Sequence, residues 1–408
     1  MFDQTPIIVG LEIGTSKVCA AVGEFDPESS SLKIIGLGQA CSRGVRKGEI
    51  VDPELAEEDI RAAIAQAEQM ADVEVRTVVL GVTGGHLRAQ NNRGVHPIVS
   101  ADREITEEDV QDAIKNAKVV NLPPQDVIVH AIRQHFFVDG QGGISNPVGM
   151  LGARLEVEMH VMHGNQNRLQ NAIRVVKGLQ LDVEDIVFTG LASALALLTN
   201  EAKELGALVI DLGAGTTDFT LYAQGVVRHT GVIAVGGDHL SNDIAIGLRV
   251  PLSRAEQMKI EYGSALVEDE CRGKTITIKN SDGTPLRTIS LENLRTIMAL
   301  RVEEIFQIVA QQLHEAGLLD YLRAGVFLCG GGARIPNITK VAERIFQAPA
   351  QLGRANAMSG LISALDQPEF ATAIGLVKFG SFKHKANTHK PLLPTGLKGT
   401  ISQLFRRF

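Results

Sequence analysis

The sequence predicts an α/β protein made of two duplicated halves, each carrying an inserted subdomain. Residues 7–23 (IIVGLEIGTSKVCAAVG) and 208–225 (LVIDLGAGTTDFTLYAQG) share one pattern: an apolar run ending in an acidic residue, a turn rich in Gly, Thr and Ser, and a second strand-like run. This pattern is typical of a β-hairpin with a polar tip. Helical and strand periodicities alternate around both segments, as in α/β folds. The paired hairpins therefore indicate two similar halves.

Length and composition agree with this organisation. A chain of 408 residues is too long for one ordinary core, and 44% hydrophobic with 21% charged residues is typical of a folded soluble protein. No run approaches the roughly 18–20 apolar residues of a membrane-spanning helix, and no basic segment precedes an apolar run at the N terminus. We therefore expect a cytosolic protein. The four cysteines form no C-x-x-C pair, which favours buried free thiols over zinc or disulfides.

Two stretches depart from the alternation and are predicted to be the inserted subdomains. Residues 84–163 combine a helix that opens with a capping box at Thr106 and Asp109 with two alternating strands around a Gly-rich turn. Residues 239–319 contain a hairpin-like segment and a long helix. The expected units are a first half (1–83, 164–204 and 370–382), an α+β insertion (84–163), a second half (205–238 and 320–369), a second insertion (239–319), a linker (383–395) and an amphipathic helix (396–408).

The tips of the two hairpins are the first candidate binding residues. Small residues in a tight turn let backbone N–H groups donate hydrogen bonds to a phosphate. An acidic residue at the strand end supplies the hard oxygen ligand that Mg²⁺ prefers, usually through water. Aligning Glu12 with Asp211 also aligns Gly14 with Gly213. One such tip alone is equally well explained as a solvated glycine turn. Two tips predict a cleft between the halves that holds a nucleotide phosphate from both sides.

A third glycine-rich segment lies at residues 326–337 (VFLCGGGARIPN). It predicts a buried strand, a close backbone approach to a flat ligand, and a helix that starts at Pro336. The segment is not G-x-G-x-x-G, which argues against a dinucleotide fold. The GKT at residues 273–275 resembles the end of a P-loop, but Glu268 stands where the first glycine is required. A turn entering a strand is the better interpretation there.

The C-terminal segment carries the strongest charge asymmetry. The chain has a formal charge of −7, which argues against non-specific nucleic-acid binding, yet residues 371–408 contain seven Lys and Arg and no Asp or Glu. In a helix, an apolar stripe with flanking cations would comprise Leu397, Lys398, Ile401, Leu404, Phe405, Arg406, Arg407 and Phe408. Such a stripe is typical of an interfacial membrane helix on anionic lipids, with docking on the body as the alternative. A helix this short binds weakly, so durable attachment predicts self-assembly.

Five segments resemble, in order, the nucleotide-site motifs of the actin, Hsp70 and sugar-kinase superfamily: VGLEIGTSK, TGLASALALL, VIDLGAGTTD, VFLCGGGARIPN and EFATAIGL. Within it, residues 84–163, the E-x-x-K pair in AEQMKIEYG and the tail GLKGTISQLFRRF are similar to the FtsA family of bacterial cell-division proteins. The resemblance implies an actin-like fold with a nucleotide cleft between the halves, and ATP and Mg²⁺ as ligands. It also implies polymerisation, and tethering of the FtsZ ring, with other division proteins, to the cytoplasmic side of the cell membrane.

The resemblance also implies site residues, position by position. The implied nucleotide-binding residues are Gly14, Thr15, Ser16, Lys17, Asp211, Gly213, Gly215, Thr216, Thr217, Gly236, Gly237, Glu256, Lys259, Gly331, Gly332 and Arg334. Glu12 and Asp211, through water, are the expected metal ligands. Glu256 has a second interpretation, because Ser253 and Glu256 also have the S-x-x-E spacing of a capping box.

Two departures from the superfamily pattern bear on catalysis. Glu12 stands where many members carry Asp, which leaves the metal geometry open. Gly190 aligns with the Gln or Glu that orients the attacking water, and without that side chain in-line attack loses its orientation. We therefore expect ATP binding with weak or no hydrolysis and no catalytic residue. The alternative is a soluble ATPase or small-molecule kinase, which would require a base that the sequence does not reveal.

The second insertion carries the expected partner residues. Arg295, Arg301 and Glu304 lie on its long predicted helix. The resemblance implies that this region receives the acidic C-terminal peptide of FtsZ. A solvated charged helix face is the alternative interpretation.

Overall fold

A computed structural model describes residues 5–29, 31–279, 285–355, 359–361 and 366–388. In chain order the strands are β1 (Ile7–Ile13), β2 (Lys17–Asp26), β3 (Ser31–Cys41), β4 (Val45–Arg46), β5 (Glu49–Ile50), β6 (Thr77–Val82), β7 (Arg88–Pro97), β8 (Asp126–Val138), β9 (Gln141–Ile144), β10 (Arg154–Asn165), β11 (Asp182–Phe188), β12 (Ala207–Leu212), β13 (Thr217–Ala223), β14 (Val226–Ile233), β15 (Thr275–Lys279), β16 (Pro285–Ser290), β17 (Gly325–Cys329), β18 (Ala350–Leu352) and β19 (Ser359–Gly360). The helices are α1 (Pro53–Ala71), α2 (Glu107–Ala117), α3 (Gln166–Gly178), α4 (Thr189–Leu197), α5 (Asn200–Leu205), α6 (Gly237–Leu248), α7 (Leu252–Tyr262), α8 (Leu291–Glu315), α9 (Ile338–Phe346) and α10 (Ala371–Thr388).

The first half is built on a six-stranded sheet in the order β11-β6-β1-β2-β3-β19. Strands β1, β2 and β3 form an antiparallel meander, whereas β6 pairs with β1 and β11 in parallel. Strands β1 and β2 are almost wholly buried, which explains their continuous apolar sequences. Helix α1 packs on β3, and α10 packs on both α4 and β1.

The second half repeats this plan in a five-stranded sheet, β14-β13-β12-β17-β18. Strands β12, β13 and β14 form the antiparallel meander, and β17 joins β12 in parallel. The two leading hairpins share the same register, since Glu12 pairs with Cys19 and Asp211 pairs with Asp218. Both predicted hairpins are therefore confirmed.

The two insertions are built differently. Strands β7, β10, β8 and β9 form an antiparallel sheet that packs with α2 around a small separate core. The capping box at Thr106 and Asp109 is present at the start of α2. Helices α6, α7 and α8 and the β15–β16 hairpin instead extend the core of the second half. Helix α8 contributes the buried stripe Leu294, Met298, Val302, Ile305, Phe306, Val309 and Leu313.

Three local expectations differ from the structure. A 3₁₀ turn (Gly331–Arg334) follows β17, so the next helix begins at Ile338 and not at Pro336. Cys41 is exposed, because it ends a strand at the rim of the sheet, while the other three thiols are buried. The segment after Phe382 continues α10 to Thr388 where a linker was predicted. There the Lys383 ammonium contacts Glu184 and Asp185 at 3.2 and 3.3 Å, which fastens the helix to β11.

Candidate functional site

The two hairpin tips face each other across a cavity of about 470 Å³. The tips approach so closely that a Cβ placed on Gly215 would lie 2.4 Å from the hydroxyl oxygen of Thr15. That same hydroxyl accepts a 3.0 Å hydrogen bond from the backbone N–H of Gly48. The packing leaves no room for a side chain at Gly215, so glycine is required where the halves meet.

The two tips have the same backbone geometry. The N–H of Gly14 donates to the carbonyl of Lys17, and the N–H of Gly213 donates to the carbonyl of Thr216, both at 2.9 Å. Short glycine-containing turns of this kind form anion-binding concavities. All four predicted residues of the first tip line the cavity, as do Asp211, Gly213, Gly215 and Thr216.

The first tip contains its own ion pair. The Lys17 ammonium donates to the Glu12 carboxylate at 3.1 Å, and both side chains are largely buried at the cavity wall. Burial lowers the pKa of Lys17, but the attraction of Glu12 and Asp211 outweighs burial and raises the pKa above its usual range. Lys17 therefore keeps its positive charge in the cavity, where it can attract a phosphate.

Hydroxyl groups of the first half hold the carboxylate of Asp211 in place. Its Oδ2 atom accepts from the Ser193 hydroxyl on α4 at 2.7 Å and from the Thr372 hydroxyl on α10 at 2.6 Å. The Oδ1 atom lies beside Gly330, where a Cβ would stand only 2.4 Å from it. Asp211 thus reaches the cavity in a fixed orientation.

The site contains a carboxylate that the sequence analysis missed. Asp218 lines the cavity and accepts from the hydroxyls of Thr83 at 2.7 Å and Thr189 at 2.6 Å. Burial, reinforced by the nearby Asp211 charge, raises its pKa to about 7. Its position directly across the hairpin from Asp211 was the signal that could have identified it. A carboxyl group that titrates near neutral pH in a cleft is a candidate proton acceptor.

The acidic residues of the cavity suit a hard cation. Glu12, Asp211 and Asp218 all line it, and carboxylate oxygens are ligands that Mg²⁺ prefers. Among the described residues, no three Asp, Glu, His or Cys side chains are placed to ligate one ion directly. A magnesium ion at this position would therefore be held mainly by ligand phosphates and water, and it would neutralise phosphate charge.

The remaining predicted residues form the opposite wall. Gly237, Glu256, Lys259, Gly331, Gly332 and Arg334 all line the cavity. Helix α7 has Pro251 as its N-cap without any side-chain cap bond, so the capping-box interpretation of Glu256 is wrong. Glu256 instead accepts from the Ser241 hydroxyl and from the Lys259 ammonium, the latter at 2.6 Å.

Two predicted nucleotide-binding residues do not line the cavity, and neither does Gly190, the position expected to lack a water-orienting side chain. Gly236 packs beneath the second tip, where a Cβ would lie 2.5 Å from the carbonyl oxygen of Gly213. Thr217 is buried, and its hydroxyl donates to the carbonyl of Val235. A side chain at Gly190 would meet the ring of Phe188 and not the cavity. The preceding residue, Thr189, faces the cavity instead, because helix α4 starts there.

The predicted partner residues are already engaged in ion pairs. Arg301 contacts the Asp243 carboxylate at 2.5 Å and also contacts Glu304. Arg295 contacts Glu268 at 3.0 Å and donates to the carbonyl of Tyr262. An acidic peptide would have to compete with these carboxylates.

The predicted membrane residues lie outside the described part of the chain: Leu397, Lys398, Ile401, Leu404, Phe405, Arg406, Arg407 and Phe408. Of the helices that the structure does describe, none is both long and apolar enough to span a membrane.

Comparison with solved structures defines the fold. The chain is similar to a PilM-PilN type IV pilus biogenesis complex (TM-score 0.66, 16% identity, 92% of this chain and 98% of that chain). It is also similar to MreB5 of Spiroplasma citri bound to ADP (TM-score 0.56, 19% identity, 95% of this chain and 100% of that chain). These are actin-like ATPase folds, so the predicted fold class is confirmed.

Comparison of sequences defines the family. A model described as "Cell division protein FtsA" matches residues 208–375, and one described as "SHS2 domain inserted in FTSA" matches residues 84–163. Cell division protein FtsA of Pseudomonas aeruginosa is 37% identical over 92% of this chain and 89% of its own length, and that of Escherichia coli is 34% identical over 93% and 91%. The chain belongs to the FtsA family of cell-division proteins.

Proposed function

We propose that this protein binds ATP with Mg²⁺ between its halves, assembles with copies of itself, and tethers the FtsZ ring to the inner face of the cytoplasmic membrane. Family membership supports the role in division. The remaining parts of the proposal rest on the chemistry of the cavity, on the charged face of α8 and on the sequence of the tail.

The opposed hairpin tips are the observation that supports nucleotide binding. They place two glycine turns, the Lys17 ammonium and three carboxylates around one cavity. This combination can neutralise phosphates on one side and hold their metal on the other. Two solved structures of the same fold, MreB5 of Spiroplasma citri, are described as bound to ADP and to AMPPNP.

A valine at Gly331 would test nucleotide binding without disturbing the fold. Gly331 lines the cavity, and a Cβ there would meet nothing within 4 Å. We expect ATP affinity, measured by calorimetry with Mg²⁺, to fall stepwise from wild type through Gly331→Ala to Gly331→Val while the melting temperature stays unchanged. Equal affinity in all three proteins would refute the assignment of the cavity.

The alternative function is a soluble ATPase or kinase of the same superfamily. Asp218 favours it, because a carboxyl group with a pKa of about 7 lines the cavity. Its two oxygens are, however, occupied by the hydroxyls of Thr83 and Thr189. We therefore propose slow hydrolysis at most. Multiple-turnover phosphate release by wild type and by Asp218→Asn decides between the two functions.

Membrane attachment is tested with a chain that ends at Thr388. This end preserves all of α10 and its contacts with β11, whereas an end at Phe382 would remove Lys383. We expect only the full chain to pellet with anionic liposomes, and ATP to strengthen pelleting. A full-length Phe405→Asp variant should lose binding as the truncated chain does. Equal pelleting of the truncated chain would refute the tail as the anchor and favour the soluble enzyme.

Self-assembly is tested with the same truncated chain in the absence of lipid. We expect ATP-dependent sedimentation that Gly331→Val abolishes. A protein that stays monomeric at all concentrations with ATP would contradict the proposed polymer.

The FtsZ contact is tested by removing an arginine from α8. We expect Arg301→Ala to weaken binding of a synthetic C-terminal FtsZ peptide, and added salt to weaken binding to wild type. Arg344→Ala is the matched control, because Arg344 also pairs with a carboxylate of α8, Glu303, at 2.9 Å. Equal losses in both variants would indicate general charge attraction and no defined docking site.

A further inference from the structure

A second cavity lies where the first insertion, the second half and α10 meet. It measures about 270 Å³ and shares no lining residue with the cleft between the hairpin tips. Its apolar wall includes Ile132 of β8, Leu195 of α4, Tyr222 of β13 and Phe382 of α10. An adjoining open cleft of about 790 Å³ shares Arg133 and several other residues with it and provides an entry path.

A buried lysine lines this second cavity. Lys203, on α5, is only 8% exposed, and its ammonium lies 5.3 Å from the ring centre of Tyr222. Within the described part of the chain, no carboxylate lies within ion-pair distance of Lys203. Burial lowers its pKa, and no neighbouring charge offsets that shift. A buried ammonium without a counter-ion is costly, because long cationic side chains are rarely fully buried unless paired.

We propose that the second cavity binds a small organic oxyanion whose charged group pairs with Lys203 and whose apolar part packs on Ile132, Leu195 and Tyr222. The ligand would supply the counter-ion that the fold does not. Arg133 also lines the cavity, and its guanidinium, which donates to the carbonyl of Ser145, adds positive charge nearby. A volume of about 270 Å³ is below the usual range for drug-sized ligands, so a nucleotide does not fit.

The neighbouring acidic residue does not fill this role. Glu204 also lines the cavity, but its Oε1 atom lies beside the adjoining turn, where a Cβ on Gly225 would stand 2.5 Å from it. The end of α5 is also fixed in place, because the N–H groups of Gln224 and Gly225 donate to the carbonyls of Glu204 and Lys203. Among the described residues Lys203 therefore has no paired carboxylate, and a ligand can supply the negative charge that pairs with it.

Benzoate, benzamide and inorganic phosphate are the probes for this site. With the full-length protein labelled with ¹³C at lysine Cε, we expect benzoate to shift the Lys203 signal saturably and to raise the pKa measured from that signal. Neutral benzamide, which has the same shape, should not. A stronger effect of benzoate than of phosphate identifies a carboxylate ligand, and the reverse order identifies a phosphoryl group.

Two lysine variants complete the test. Lys203→Met should weaken benzoate binding about 10- to 100-fold, as expected for losing a charge-assisted hydrogen bond. It should also raise the melting temperature of the anion-free protein, because it removes an unpaired buried charge. Lys177→Met, at an exposed lysine on α3, should change neither property. The proposal is overturned if no probe shifts the Lys203 signal, or if benzoate binds Lys203→Met as tightly as wild type.

Discussion

The two hairpin tips have the same backbone geometry but differ in the charges of their side chains. In the first tip, Glu12 faces Cys19 across the hairpin and is paired with Lys17. In the second tip, Asp211 faces Asp218, so two carboxylates stand side by side. The carboxylate of the first tip is therefore balanced by a cation of the same tip, whereas the second tip is acidic.

The acidic tip is stabilised from the other half of the molecule. Asp211 accepts from Ser193 and Thr372, and Asp218 accepts from Thr83 and Thr189. All four hydroxyls belong to elements of the first half. The difference between the tips shows that the duplicated hairpins have diverged in role: one supplies a cation to the cavity, and the other supplies two carboxylates and links the halves.

Asp218→Asn should give the largest effect. The pKa of Asp218 is raised from 3.8 to about 7, so the folded protein binds one more proton than the unfolded chain between these values. Stability should therefore fall as pH rises from about 4 to 7, and Asp218 should contribute on the order of 3 kcal/mol to that fall, a contribution that Asn should remove. Urea unfolding across that range measures it.

The matched control for that measurement is Cys19→Ser, at the corresponding position of the first tip. The pKa of the Cys19 thiol is raised to about 12 by burial, so Cys19 does not titrate in this range. A slope in Asp218→Asn as steep as that of the wild type would show that Asp218 does not titrate in this range.

Lys17→Met should have the next largest effect. It leaves the Glu12 carboxylate without its partner at a largely buried position, which should cost roughly 2 kcal/mol of unfolding free energy and weaken ATP binding. Lys33→Met, at an exposed lysine of β3, should stay within about 0.5 kcal/mol of wild type. If Lys17→Met is as stable as that control, the ion pair contributes nothing to the first tip.

Alanine substitutions at Gly14 and Gly213 should distinguish the two tips by their different steric cost. A Cβ at Gly14 would lie 2.7 Å from the Lys17 carbonyl oxygen, and one at Gly213 would lie 3.0 Å from the Thr216 carbonyl oxygen. We expect Gly14→Ala to cost about 1–2 kcal/mol, as overpacking typically does, and Gly213→Ala to cost clearly less. Chemical denaturation measures both, and the reverse order would contradict the geometry.

The smallest effect is expected at the hydroxyls that hold Asp211. Ser193→Ala and Thr372→Ala should each cost about 1 kcal/mol, because each removes one of two hydrogen bonds to a single oxygen atom. The double variant should cost more than the sum, since the carboxylate then loses both donors. Strict additivity would indicate that water replaces the hydroxyls.

The sequence by itself determined the duplicated plan. Apolar runs, glycine turns and an acidic strand end are local patterns, and they predicted both hairpins, the insertion at residues 84–163 and most residues of the two facing tips. The sequence also predicted the long helix of the second insertion, which is α8. Local patterns succeed there because strand and helix periodicity arises within a few consecutive residues.

Only the tertiary structure decided which side chains share the cleft. Thr83 and Asp218 are separated by 135 positions, and no periodicity reports that their side chains meet. The same holds for Gly236 and Thr217, which belong to the predicted segments but do not line the cavity. It also holds for Lys203, whose cavity is lined by residues from distant parts of the chain. Burial and pairing are set by contacts between distant segments, and those contacts shift proton affinities and leave charges unpaired.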